Sequence, residues 1–160
     1  MNKSKAIGTA AESAVVKVLQ AGGFGGAERR ALHGNTDLGD VLVCPGLILE
    51  VKGGKAAEGC TQSLLDGWLA ETEAEKKNAG AELAFLVTKR KGYGVGRAQH
   101  WWAHVTVADL VDLTVGHPMP LWSIGDDQMQ LHIELRHLIR LLRRYGYGDT
   151  IARKGGLGDG

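Results

Sequence analysis

The clearest pattern of apolar and polar positions lies in residues 39–52, where two short apolar runs flank Pro45 and Gly46. Runs of this length around a Pro-Gly pair are typical of two strands and a turn, so the pattern predicts a β-hairpin. Strand side chains alternate between the two faces of a sheet, so Glu50 and Lys52 are expected to share one face. The hairpin therefore carries charged side chains at one end, where a buried strand should carry none.

The position of Asp40 relative to these charges depends on the length of the hairpin loop. A three-residue loop over Cys44–Gly46 places Val43 opposite Leu47 and Asp40 opposite Glu50, on one face. A two-residue Pro-Gly loop places Asp40 on the other face. A Pro-Gly pair favours a type II turn, which matches hairpin twist poorly, so we expect the longer loop.

A buried carboxylate needs a cation or a metal ion as its partner. Asp40, Glu50 and Lys52 together would suit a divalent cation bound beside a phosphate. The alternative is an ordinary hairpin whose end charges are solvated, and the spacing alone does not decide between the two.

Apolar residues at helical spacing predict helices over residues 9–21, 61–78 and 127–145. In the first helix, Thr9 and Glu12 have the spacing of a capping box. Glu12 also lies at the edge of the apolar stripe, so it is either a cap or a third acid of the hairpin site.

The other two helices are expected to bury apolar faces. In the helix over 61–78, the expected inner residues are Leu64, Leu65, Trp68 and Leu69, and the expected solvated residues are Glu71, Glu73, Glu75, Lys76 and Lys77. The helix over 127–145 carries an apolar stripe of Leu131, Leu135, Leu138, Leu142 and Tyr145 beside a basic flank. This stripe would close the core, while dimerisation and DNA contact remain alternatives.

Strands are predicted at residues 27–32, which carry Glu28, Arg29 and Arg30, at the apolar run 84–87, and at 101–107, where apolar and polar residues alternate. The uninterrupted run at 84–87 is typical of a parallel strand that is buried on both faces. Thr106 and Asp109 have the spacing of a second capping box, which would open a short helix ending at Leu113.

The composition adds bounds to this picture. With 160 residues, 44% hydrophobic content and a net charge of +1, the chain is an ordinary globular sequence, so any DNA-binding surface must arise from local charge segregation. Two cysteines without a CxxC pair disfavour a disulfide framework and a zinc site and suit a reducing, intracellular setting. No stretch predicts a signal peptide or a membrane span. The glycine-rich residues 146–160 are expected to form a flexible tail.

Local basic clusters are the candidate phosphate contacts. The loop from Lys89 through Arg90 and Lys91 to Arg97 carries four positive charges and no negative one. Arg29 and Arg30 on a predicted strand, and Lys55 after the hairpin, are further candidates. The alternative for each is a plain solvated surface.

Five segments in fixed order carry a resemblance to a known family. They are Lys5-Ala-Ile-Gly-Thr-Ala-Ala-Glu12, Arg29-Arg-Ala-Leu-His-Gly34, Gly39-Asp-Val41, Ile48-Leu-Glu-Val-Lys52 and Phe85-Leu-Val-Thr-Lys-Arg90. The set resembles the PD-(D/E)XK nuclease superfamily, and within it the Holliday junction resolvases of the archaeal type and their relatives in actinobacterial phages. The chain departs from the superfamily pattern at Gly39, where a proline commonly precedes the acid.

The resemblance implies a restriction-endonuclease-like α/β domain with a mixed central β-sheet flanked by helices. We expect this domain to span residues 1–145, with a core at about 5–113 and, outside the family match, the C-terminal helix at 127–145. The resemblance also implies Mg²⁺-dependent hydrolysis of DNA, with Mn²⁺ as a substitute. Asp40, Glu50 and the Val51 carbonyl would hold the metal ion. Lys52 would position or help to deprotonate the attacking water and stabilise the developing negative charge, and Glu12 would hold a metal-bound water or a second ion.

The implied substrate is branched DNA, cut by a homodimer in the cytoplasm of a bacterial or phage-infected cell. The helix over 127–145 is the first expected dimer interface, and the helix over 61–78 is the second. Two alternatives remain open: a repair or restriction-like nuclease that acts on linear duplex, and a catalytically idle DNA-binding module on the same fold.

Overall fold

The computed structural model describes residues 2–30, 36–115 and 129–150. Six strands form one sheet, and helices cover both of its faces. The strands are β1 (Glu28–Arg29), β2 (Val41–Cys44), β3 (Leu47–Lys52), β4 (Leu83–Thr88), β5 (Trp102–Thr106) and β6 (Gln130–Glu134). The helices are α1 (Lys3–Ala21), α2 (Lys55–Glu58), α3 (Gln62–Ala79), α4 (Val107–Val115) and α5 (Leu135–Arg144), with a 3₁₀ helix at Val95–His100.

The order of the strands in the sheet follows the order of the strands in the chain. β3 and β4 are parallel, and the remaining neighbours are antiparallel. The parallel pair needs a crossover, which α2 and α3 supply. The expected α/β class with a mixed central sheet is therefore confirmed.

The main core lies on one face of the sheet, beneath α1, the 3₁₀ helix and α5. It is formed by inward residues of every one of these elements, including Val15, Leu49, Phe85, Trp101 and Leu138. The alternate residues of β3 and β4 point to the opposite face, where α3 packs on the sheet. Glu50 and Lys52 belong to this second face, beside α3.

The predicted helix over 127–145 is wrong in its first part. Residues 127 and 128 lie outside the described residues, and Gln130–Glu134 form β6, which pairs with β5. Leu131 and Ile133 satisfy the two-residue period of a strand as well as a helical period, and the open edge of β5 decides between them. The helix proper, α5, begins at Leu135, and Leu135, Leu138 and Leu142 are buried in the main core.

The first helix begins six residues before its predicted start. Asn2 caps α1 by accepting a hydrogen bond from the backbone of Ser4 at 3.1 Å. Thr9 and Glu12 lie inside the helix, so the predicted capping box between them is wrong. The capping box of Thr106 and Asp109 is confirmed, because each residue's side chain accepts a hydrogen bond from the other's backbone N–H.

The hairpin turn is shorter than expected, yet the expected pairing holds. Pro45 and Gly46 form a two-residue turn, with Cys44 paired to Leu47. The register then shifts between Leu42 and Cys44, and beyond this bulge Val41 pairs with Leu49. A bulge adds one residue to one strand and so reverses the change of face that the short turn would cause. Continued by one residue, this register places Asp40 opposite Glu50.

The helix predicted over 61–78 is confirmed as α3, but its buried side differs from the expected one. Leu64 is exposed, Leu65, Trp68 and Leu69 are half-buried, and the fully buried residues are Thr72 and Glu75. The expectation that Glu75 is solvated is therefore wrong.

Three remaining expectations concern a short strand, the C-terminal tail and membrane-spanning helices. The predicted strand over 27–32 is observed as Glu28–Arg29, and residues 31–35 lie outside the described residues, as do 116–128 and 151–160. At the start of the predicted tail, the backbone N–H of Asp149 donates to the Gly23 carbonyl and its carboxylate accepts from the Gly25 N–H. In the described ranges no helix combines the length and apolar content that crossing a bilayer requires.

Candidate active site

Glu50 and Lys52 form an ion pair at the C-terminal end of β3. The Lys52 ammonium lies 2.6 Å from Glu50 Oε1 and 3.0 Å from Glu71 Oε2 of α3. It also lies 5.9 Å from the ring centre of Trp68. Glu50 is buried, whereas Glu71 is exposed. Alternation along β3 points both members of the pair toward α3, and the helix holds the ammonium from the other side.

Asp40 is fixed to the same strand by its backbone and its side chain. Its N–H donates to the Leu49 carbonyl at 3.1 Å, and its carbonyl accepts from the Arg30 N–H at 2.8 Å. Its Oδ2 accepts from the Val51 N–H at 2.9 Å. At the end of β2, the Asp40 carboxylate accepts the Val51 N–H in place of a backbone carbonyl of β2. This hydrogen bond holds the carboxylate beside Glu50.

The Val51 carbonyl, expected as a metal ligand, follows from the same geometry. The N–H and the carbonyl of one strand residue point toward the same neighbouring strand. Because the Val51 N–H points to Asp40, its carbonyl is directed to the same side of β3. The expected ligands Asp40, Glu50 and Val51 therefore occupy adjoining positions.

Glu75 is a residue of this site that the sequence analysis missed. It is 5% exposed, and its Oε2 would lie 3.7 Å from a Cβ placed on Gly39, the residue before Asp40. A signal for it was present, because Glu75 lies seven residues after Trp68 and so falls on the same side of the helix. Its charge made it look like a surface residue.

The three carboxyl groups are crowded away from water and from sufficient positive charge. Burial, followed by repulsion from Glu50, raises the pKa of Asp40 to about 8. Burial also raises the pKa of Glu50 to about 7, against the opposing effect of Lys52. Burial raises the pKa of Glu75 to about 7 as well. For Lys52, burial would lower the pKa, but the contacts with Glu50 and Glu71 raise it above its ordinary value.

The donor atoms fit a hard divalent cation. Carboxylate and carbonyl oxygens are the ligands that Mg²⁺ and Mn²⁺ prefer. Glu50 Oε2 is buried and has no hydrogen-bond partner, which leaves it available as a ligand. Within the described part of the chain, no three His, Cys, Asp or Glu side chains already form a metal-binding group. Without a cation the three carboxyl groups relieve their mutual repulsion by binding protons, as their raised pKa values indicate, and a bound cation would take the place of those protons.

Glu12 of α1 and Asp40 line the same cleft, which has a volume of about 460 Å³. Its Oε2 forms an ion pair with Arg29, at 2.6 Å from Nη2 and 2.8 Å from Nε. The cleft is also lined by Lys5 and Arg30, and the Arg30 guanidinium donates to the Leu38 carbonyl at 2.8 Å. Glu12 thus lies at the expected site, but with a cation of its own.

Two of the other basic candidates, Lys89 and Arg90, are paired with acidic side chains and are therefore less available to a phosphate than the sequence suggested. Lys89 forms an ion pair with Glu58 at 2.7 Å. Arg90 forms an ion pair with Glu134 at 3.0 Å, and its guanidinium stacks 4.1 Å from the ring centre of Trp102.

Two of the candidate lysines are exposed. Lys91 lies in the turn after β4. Lys55 begins the short helix α2.

Asp37, in the loop that leads to Asp40, is exposed. Its side chain accepts from the Gly39 N–H at 3.1 Å, and its carbonyl accepts from Asn78 at 3.0 Å. It therefore shapes the approach to Asp40 and does not join the buried carboxyl groups.

Comparison with known proteins adds no relative to this description. No protein-family model, no curated protein and no solved structure matches the chain.

Proposed function

We propose that this protein is a metal-dependent endodeoxyribonuclease that cuts branched DNA, with four-way junctions as its principal substrate. The observation that supports a nuclease most directly is the convergence of Asp40, Glu50 and Lys52 at one end of the hairpin, with a partnerless carboxylate oxygen on Glu50. The choice of branched DNA rests on the resemblance to junction resolvases.

Each residue has a distinct role in the proposed reaction. Asp40, Glu50 and the Val51 carbonyl would hold the divalent cation. A bound Mg²⁺ supplies a lowered pKa for a water molecule and offsets the charge that develops on the phosphate. The Lys52 ammonium, held between Glu50 and Glu71, keeps one N–H that would donate to the attacking water, and its charge would stabilise the developing negative charge.

The cleft beside Asp40 holds three basic side chains that could contact a phosphodiester, together with the acidic Glu12, Asp37 and Asp40. Lys5, Arg29 and Arg30 line it together with Asp40. Arginine forms strong, oriented hydrogen bonds to phosphate oxygens. We therefore place the DNA backbone along this cleft, and Glu12 positions Arg29 through their ion pair.

The test compares four-way, flap and linear DNA side by side, with purified protein and Mg²⁺. We expect cleavage of the four-way substrate, and we expect Asp40→Asn, Glu50→Gln and Lys52→Ala each to abolish it in folded protein. Asp37→Asn serves as the matched control and should retain most of the activity. A fully active Glu50→Gln protein would contradict the site, and equal cutting of linear and four-way DNA would favour a general nuclease.

Paired cleavage of a two-fold symmetric junction is most simply performed by a homodimer. The expected interface on the last helix is excluded for Leu135, Leu138 and Leu142, because these residues are buried within the subunit. The second choice, α3, still offers the exposed Leu64 and the half-buried Trp68. Light scattering at micromolar concentration tests this, and a monomeric mass would contradict the homodimer.

The salt dependence of binding separates the two basic surfaces. Replacing Arg29 and Arg30 with alanine should weaken binding to every DNA and flatten the dependence of log K on log salt by about one unit for each lost phosphate contact. Replacing the exposed Lys91 alone tests the loop after β4 in the same assay. An unchanged slope in both proteins would place the DNA contacts elsewhere.

A further inference from the structure

Two buried oxygens of this site have no partner, and they lie on different elements. Among the described residues, the buried side-chain polar atoms without a hydrogen-bond partner are Glu50 Oε2 on β3 and Glu75 Oε2 on α3. Both residues are 5% exposed. Leaving a buried polar group unsatisfied typically costs about 1–3 kcal/mol, and more for a charged one. Glu50 and Glu75 lie within hydrogen-bond reach of each other, so the two carboxyl groups can share a proton or bind one cation in common.

The neighbouring cationic side chains cannot serve as that common cation. The Lys52 ammonium already contacts Glu50 Oε1 and Glu71. Arg29 on the far side of the site is paired with Glu12. The carboxyl groups of Asp40, Glu50 and Glu75 therefore exceed the positive charge that reaches them.

The backbone before Asp40 lies close to the α3 carboxylate. Gly39 is buried and has a φ of +83°, which favours glycine. A Cβ at this position would lie 3.1 Å from Ile48 Cδ1 and 3.7 Å from Glu75 Oε2. The carboxylate of Glu75 therefore lies within contact distance of the backbone that leads directly into Asp40.

We propose that Glu75 is a further ligand of the divalent cation, joining Asp40 and Glu50 from the opposite side, on α3. This inference rests on the proposed function, since it concerns the cation of the nuclease site. It assigns the third carboxylate to α3 and leaves Glu12 of α1, which Arg29 neutralises, to the DNA cleft. The cation would then tie the helix to the hairpin.

A purely structural role for Glu75 makes a different prediction. A buried glutamic acid that only fills space beside Glu50 would affect the free energy of unfolding when replaced by glutamine. It would leave the affinity for a metal ion unchanged. Metal affinity measured without DNA therefore separates the two roles.

The experiment titrates the metal-free full chain with Mn²⁺ alone, by calorimetry, in the wild type and in Glu75→Gln, Glu50→Gln and Glu73→Gln. Glu73 is an exposed residue of the same helix, so its replacement controls for the loss of one negative charge. Loss of an outer-shell partner of a metal already weakens affinity by about 10–100-fold. Because Glu75 is proposed as a direct ligand, we expect Glu75→Gln to weaken the affinity for Mn²⁺ at least tenfold. Glu73→Gln should bind as the wild type does.

The outcomes distinguish this inference from the nuclease itself. If Glu75→Gln binds Mn²⁺ as tightly as the wild type while Glu50→Gln does not bind, Glu75 is no ligand and the cation site on the hairpin stands. If the wild type binds no Mn²⁺, the cation site fails together with the proposed function. Urea unfolding verifies that each variant is folded. If Glu75→Gln does not fold, Glu75→Asp takes its place. This variant withdraws the carboxylate by one methylene, and its affinity for Mn²⁺ must also be lower than that of the wild type.

Discussion

Replacing Asp40 by asparagine should stabilise the metal-free protein while removing its activity. The pKa of Asp40 is raised from 3.8 to about 8, with burial as the main cause and repulsion from Glu50 as the second. Below pH 3.8 the carboxyl group is protonated in both the folded and the unfolded protein, so it does not weaken folding. As the pH rises from 3.8 toward 8, the unfolded protein loses this proton more readily than the folded protein, so the free energy of unfolding decreases. At 1.36 kcal/mol per pH unit, the folded state is penalised by about 4 kcal/mol at pH 7 and by about 1.5 kcal/mol at pH 5.

Asparagine is uncharged and can still accept the hydrogen bond from the Val51 N–H, so it escapes this penalty. Because Asp40, Glu50 and Glu75 share the excess charge, we expect a measured gain of about 2–4 kcal/mol at pH 7, shrinking toward pH 5. The assay is urea unfolding in a chelator at both pH values. The control Asp37→Asn, at an exposed position, should shift the free energy of unfolding by less than about 0.5 kcal/mol.

Magnesium completes this test. A saturating divalent cation stabilises the state that binds it, so Mg²⁺ should raise the unfolding free energy of the wild type and not that of Asp40→Asn. An Asp40→Asn protein no more stable than the wild type at pH 7, or a gain that is the same at pH 5 and pH 7, would refute the assignment of a charge-strained site.

Two further predictions concern the supports of the fold. Gly53→Ala would place a Cβ against that of Ala11, well inside contact distance, so it should force α1 from β3 and destabilise the protein by about 1–3 kcal/mol or more in thermal unfolding, whereas Gly54→Ala, with open space around it, should be mild. Burial lowers the pKa of His104 to about 4 from 6.5, so stability should fall by about 3 kcal/mol as the pH drops from 6.5 to 4. An NMR titration of His104 with a midpoint near 6.5 would contradict this.

The hairpin shows how far the sequence could predict the site. The alternation from Leu47 to Lys52 placed Glu50 and Lys52 on one face, and their ion pair agrees. The pairing of Asp40 was expected from a three-residue loop, whereas a two-residue turn with a bulge produces it. Turn length and bulges compensate in register, so the sequence predicted the pairing but not the route to it.

The errors in the helices have one physical origin. Apolar periodicity identifies the side of a helix that faces the protein, but the depth of burial along that side depends on what the helix packs against. On α3 the buried end carries Thr72 and Glu75, because the charged end of β3 lies beneath it. At residues 130–134 the sequence fits both periods, and pairing with β5 decides the strand. Neither partner can be seen from local sequence.

The sequential order of the strands has a consequence for synthesis of the chain. Because each strand pairs with its neighbour in sequence, the sheet can grow as the residues leave the ribosome, with α2 and α3 bridging the parallel step. The apolar face beneath α1 and the 3₁₀ helix is sealed only when α5 arrives, about 30 residues after β5. Until α5 is synthesised, the nascent chain exposes apolar surface that is prone to aggregation. A chaperone would therefore be expected to bind the chain during this stage of synthesis.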